Sequence, residues 1–118
     1  MGNADLEETI RNPLGRYMPT FVMLIKMAPE LARNLASMEE IGNRVGARYR
    51  EACPEVNVTT HLALLGPYDF LDIVEAPSEE MAFRMASVIL ASGMASSVET
   101  WTALHFTYPK MLELMIGI

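Results

Sequence analysis

The stretch VNVTTHLALL (residues 56–65), GP (66–67) and YDFLDIVE (68–75) decides the fold. Its first segment alternates, with Val56, Val58, Thr60, Leu62 and Leu64 on one side and Asn57, Thr59, His61, Ala63 and Leu65 on the other. That is the pattern of a half-buried strand. Gly66 and Pro67 signal a turn. The run from Tyr68 to Glu75 is again rich in strand-favouring residues, so the two segments form a hairpin.

Working outward, Ala76 and Pro77 stop the second strand of the hairpin. Ser78 is placed to cap a helix, with Glu79 and Glu80 in the first turn where the helix dipole favours negative charge. Met81, Ala82, Met85 and Ile89 form its apolar stripe, and Gly93 marks its end. On the other side of the hairpin, Cys53 and Pro54 close a helix whose stripe is Met38, Ile41, Val45 and Tyr49. Ser37 and Glu40 match a capping box at its start. Gly42 and Gly46 lie inside it, each costing about 1 kcal/mol relative to alanine, which points to close packing against a neighbour or, more plainly, to a flexible helix. Before it, Glu30 to Ala36 forms one or two helical turns behind Pro29.

The segment TFVMLIKM (residues 20–27) is apolar on both alternating sets, as expected of a central strand covered on both faces. Ser97 to Phe106 alternates again and forms the last strand. Tyr108 and Pro109 open an apolar tail, proline suiting the first turn of a helix. The order is therefore β-α-β-β-α-β with a C-terminal helix, an α+β chain of the split, ferredoxin-like type. In that arrangement the first and third strands are central and the second and fourth lie at the edges. Two helices cover one face of such a sheet, yet the first strand carries large apolar side chains on both. The economical cover for the other face is a second copy, giving a dimeric α+β barrel or higher homo-oligomer. The alternative is the apolar tail folded across the sheet. Residues 1–17 read as a loosely attached extension, with Met18 as a possible alternative start, and residues 18–118 as a single domain.

The chain has 118 residues and a formal charge of −6 from nine basic and fifteen acidic side chains, the wrong sign for steering onto nucleic acid or an anionic membrane. A lone cysteine makes no internal disulfide. No run approaches a membrane span, and no basic n-region precedes an apolar stretch, so the expected location is the cytoplasm.

Gly66, Tyr68 and Asp69 at the start of an apolar strand, with Glu75, Ala76 and Pro77 before a second helix, resemble the GYD domain family. The last strand, with Val98, Thr100, Thr102 and the Phe106-Thr107 ending, is similar as well, so the resemblance covers about residues 18–108. It implies the fold of the dimeric α+β barrel proteins rather than a particular activity. Two features depart from the family pattern: Asp72, where a small or apolar residue is expected, and the extension before Met18.

The candidate chemistry-bearing residues are few. Asp72 alternates with Phe70 and Val74 on a central strand, where a carboxylate must be hydrogen-bonded, paired or open to a cleft. It is either a general base or a side chain facing a wet dimer interface. Asp69 is expected to fix its turn. His61 and His105, on opposite edges of one chain, can approach each other across a dimer whose sheets join edge to edge. The plainer role for both is interface hydrogen bonding. Trp101 shares a face with Glu99 and His105 and, with Tyr68, can line a cleft for a planar ligand or simply fill core. No spacing suits a metal, Cys53 has no activating neighbour, and glycine-rich phosphate loops and nucleophile elbows are absent. The ten methionines give an adaptable core or an adaptable binding surface.

The leading expectation is a cofactor-free, metal-free homo-oligomer holding a small organic molecule. Asp72 and a histidine are then available for proton transfer, in isomerisation or cofactor-independent oxygenation. The rival is a non-catalytic assembly or regulatory module that uses its tail and sheet face for protein contacts.

Overall fold

The computed structural model describes residues 18–104 and 108–117. Its elements run β1 (Thr20–Met27), α1 (Pro29–Arg33), a 3₁₀ turn (Leu35–Ser37), α2 (Met38–Ala52), β2 (Asn57–Ala63), β3 (Phe70–Glu75), α3 (Glu79–Ala91), β4 (Ala95–Ala103) and α4 (Tyr108–Ile116). The strands form one four-stranded sheet in the order β2-β3-β1-β4, every neighbouring pair antiparallel. This is the ferredoxin-like arrangement, with the most apolar strands at its centre. β4 ends at Ala103, and its expected continuation through Phe106 lies outside the described residues.

Residues directly opposite one another in an antiparallel pair point to the same side, so the register sorts the sheet into two faces. On one face the rows are Val58–Val74–Phe21–Thr102, His61–Asp72–Met23–Thr100 and Ala63–Phe70–Ile25–Val98. α2 and α3 cover this face: Phe21, Met23, Ile25 and Val74 join Val45, Ala82, Met85 and Ile89 in the core, none of them more than 6% exposed. On the other face the rows are Thr60–Ile73–Val22–Trp101 and Leu62–Leu71–Leu24–Glu99.

Three local expectations are corrected. Ser37 makes no side-chain cap, because the preceding 3₁₀ turn already holds it in helical geometry (φ −87°, ψ −6°), whereas a capping residue needs extended backbone. Ser78 does have extended backbone and accepts a hydrogen bond from the Met81 amide at 3.2 Å. The glycines of α2 serve no close packing: a Cβ at Gly42 would meet nothing within 4 Å, and one at Gly46 would meet only the Arg50 side chain. In β2 the simple alternation breaks at a bulge between Val58 and Thr60. The extra residue reverses the faces, so Val58 and His61 share the helix-covered side.

Candidate functional site

The hairpin turn is fixed from its own residues. Gly66 has φ +147°, a conformation a side chain would strain. Asp69 then stitches the turn to β1 through both backbone and side chain. Its amide donates to Ile25 O at 2.9 Å, its carbonyl accepts from Leu64 N at 2.8 Å, and its carboxylate accepts from the Met27 amide at 2.7 Å. These bonds start the β1–β3 ladder at a defined register. Farther along the same strand, Glu75 sits opposite Thr20 and Asn57, and Ala76 N bonds Pro19 O at 3.1 Å before Pro77 turns the chain toward α3.

The register that Asp69 sets places Asp72 on the helix-covered face between His61 and Met23. Asp72 therefore points to the side of the sheet covered by α2 and α3, not to its open side. It is the single buried charged or polar residue among those described, 6% exposed. A carboxylate so placed needs a partner, and Nδ1–H of His61 donates to its Oδ1. The imidazole is itself held by stacking on Phe70, ring centroids 5.6 Å apart at 17°, while its side chain remains 62% exposed. The result is an oriented histidine at a sheet edge, its Nδ1 engaged by a buried carboxylate.

The remaining candidates are on the opposite face or outside it. Trp101 (55% exposed) and Glu99 point to the open side, and the Tyr68 hydroxyl donates to Glu99 Oε2. That hydrogen bond to a carboxylate holds the Tyr68 phenol above its ordinary range, reinforced by desolvation and by the Glu99 charge. His105 lies outside the described residues. The sheet thus separates the His61–Asp72 pair from the Tyr68–Glu99–Trp101 group, and the two do not line one cleft. Cys53 is 1% exposed, and burial raises its thiol, with Arg84 partly opposing; a buried thiol raised in this way is a poor nucleophile. Among the described residues no group of three or more His, Cys, Asp or Glu could hold a metal ion. No helix among them is long and apolar enough to cross a membrane.

Two cavities are lined by residues that the sequence did not mark as site candidates. One, of about 480 Å³, opens beside β4 between Phe21, Glu79, Phe83, Thr100 and Thr102. The Thr102 hydroxyl reaches Glu79 at 3.5 Å, while that of Thr100 is buried without a partner. The other, of about 290 Å³, runs between α2 and α3 past Arg44 and Arg48. Neither was legible from spacing alone, because each depends on how a helix sits over the sheet or its neighbour.

Further exposed apolar surface lies on the open sheet face and on α4. Leu62 (49%) and Trp101 (55%) stand on the open face beside the half-buried Val22, Leu71 and Ile73. α4 leaves Tyr108, Leu112, Leu114, Met115 and Ile116 exposed, so the tail does not serve as the cover for that face.

Comparison with known proteins matches residues 21–112 to the family model described as the GYD domain. The match runs past the last strand into α4. A protein of Thermus thermophilus described as a glutamine synthetase and cystathionine beta-lyase binding protein is 33% identical over 89 residues, 72% of this chain and 85% of that protein. The crystal structure of PH0061 is similar at a TM-score of 0.45 and 14% identity, over 89% of this chain and 69% of that one.

Proposed function

The chain belongs to the GYD domain family, and from that premise we propose that it is a non-catalytic protein-binding module that assembles through the open face of its sheet. The observation that carries this reading is the pair of rows Thr60–Ile73–Val22–Trp101 and Leu62–Leu71–Leu24–Glu99, which α2 and α3 leave uncovered. A continuous apolar face of this kind in a small domain is an interaction surface. A second copy covers it most economically, since identical rows meet about a two-fold axis and the interface is self-complementary. α4 then remains available to a different protein, with Tyr108, Leu112 and Met115 on one stripe. Its recognition is helix-in-groove, read through residues three and four apart.

The Thermus relative's printed description supports glutamine synthetase and cystathionine beta-lyase as candidate partners. The test is size-exclusion chromatography and surface plasmon resonance with purified glutamine synthetase and purified cystathionine beta-lyase. Wild-type protein should bind at least one of them saturably, and Leu112→Glu with Met115→Glu should lose at least tenfold in affinity. No binding to either enzyme would refute the partner assignment.

A second reading rests on the His61–Asp72 pair. A histidine whose Nδ1 is held by a buried carboxylate is oriented to accept a proton at Nε2, and Asp72 then acts as its positioning residue. In this reading a small molecule sits over the exposed imidazole. A native mass spectrum showing a retained mass in wild-type protein that His61→Ala loses would favour it over the binding module.

A further inference from the structure

The groove between α2 and α3 sets two exposed arginines beside an apolar wall. Ile41, Arg44, Val45 and Arg48 follow the i, i+3, i+4, i+7 spacing of one helix face, and that face looks across at Val88 and Ala91 of α3. Ile41 and Val45 belong to the apolar stripe of α2, and Arg44 and Arg48 are exposed at its margin. Here two of the four positions are arginines, and the space between the helices is an open groove of about 290 Å³ rather than a closed seam. Among the described residues neither Arg44 nor Arg48 has an ion-pair partner or a side-chain hydrogen bond. Glu40 and Glu51, which lie one turn away on either side along α2, close on neither of them. Like charges at i, i+4 repel by a few tenths of a kcal/mol in an isolated helix. No carboxylate lines the groove, whose remaining polar residue is Ser92. In a chain of net charge −6 with nine basic residues, two guanidinium groups are gathered at one apolar slot.

We propose that this groove is a binding site for a small organic carboxylate carrying a short apolar chain. The guanidinium fork matches a carboxylate in bidentate geometry and is weakly enough hydrated to do so at a half-apolar surface. Ile41, Val45, Val88 and Ala91 supply the wall for the chain. The volume lies at the small end of ligand pockets, typically 300–1,000 Å³. At the roughly 30 Å³ per molecule of liquid water it accommodates about ten non-hydrogen atoms, which limits the ligand to the size of a short fatty or aryl-acetic acid. The site is in the helix layer, on the far side of the sheet from the assembly face, so this proposal and the binding-module reading fail independently.

The test is an amide NMR titration of the full chain with hexanoate, hexylamine, hexan-1-ol and hexyl phosphate. Hexanoate should give saturable shifts confined to residues 41–48 and 88–92. Hexylamine should give none, and the combined Arg44→Gln and Arg48→Gln variant should bind hexanoate at least tenfold more weakly with an unchanged far-ultraviolet spectrum. A Val88→Trp variant, which fills the apolar wall and keeps both arginines, should weaken hexanoate to a similar degree. The proposal is overturned if hexanoate does not saturate, if hexan-1-ol binds as well as hexanoate, if hexyl phosphate binds and hexanoate does not, or if the double arginine variant binds like wild type.

Discussion

The two faces of the sheet are built from the same four strands and have opposite fates. Beneath α2 and α3, Phe21, Met23, Ile25 and Val74 are at most 1% exposed. On the other side Trp101 and Leu62 are about half exposed, and only Leu24, at 8%, reaches comparable burial. Strand propensity does not distinguish the faces, since β1 supplies large apolar residues to both. What differs is cover. The covered face also admits polar residues, but only under conditions: Asp72 lies there because His61 and the β2 bulge bring it a partner. The open face shows the reverse, apolar residues awaiting a cover and Glu99 held by Tyr68. On the proposed reading, a sheet with one covered face and one uncovered face is a unit of assembly.

Breaking the covered face should cost most. Met85 is 1% exposed in the core, and Met85→Ala should lower unfolding free energy by about 2–5 kcal/mol, read as a lower urea midpoint at unchanged slope. Removing His61 should cost less, about 1–2 kcal/mol, because His61→Ala strands a buried carboxylate while taking away a largely exposed ring; equilibrium urea unfolding at pH 7 measures it. Gly42→Ala should move stability the other way, by about 0.5–1 kcal/mol, since an added Cβ meets nothing there; thermal melts suffice to see it. The smallest effect sharpens the open face. Tyr68 should ionise above its ordinary value of 10.0 and move down in Glu99→Gln, followed by absorbance at 295 nm. Because the folded value is raised, any stability the Tyr68–Glu99 bond adds is present below pH 10.0 and lost as pH climbs through the folded value.

Much of this comparison can be read in the sequence. The hairpin, the strand order and Ser78 as a cap follow from alternation, from Gly66-Pro67 and from the placement of Pro77, each a local signal with a local cause. The double-sided apolar pattern of β1 already announces a face that two helices leave bare. The site was less legible. A bulge at Thr59 adds one residue without disturbing the run of residue types, yet it moves His61 from the open face to the covered one and so creates the contact with Asp72. Ser37 and Glu40 have the spacing of a capping box, but the 3₁₀ turn before them removes the extended backbone the box requires. Nothing in the spacing of Arg44 and Arg48 along α2 marks the groove, which exists only because α3 lies beside them. In each case the deciding information is the placement of a neighbour, which spacing within one element does not contain.

The central claim is that the open sheet face is covered by a second copy. Sedimentation equilibrium of wild-type protein and of Leu71→Glu at micromolar concentration tests it directly, because Leu71 lies in the middle of the Leu62–Leu71–Leu24–Glu99 row and outside the helix-covered core. Wild type should sediment as a dimer or a multiple of it, and Leu71→Glu should sediment as a folded monomer of 13.1 kDa. A wild-type chain that remains a monomer at these concentrations would contradict the claim.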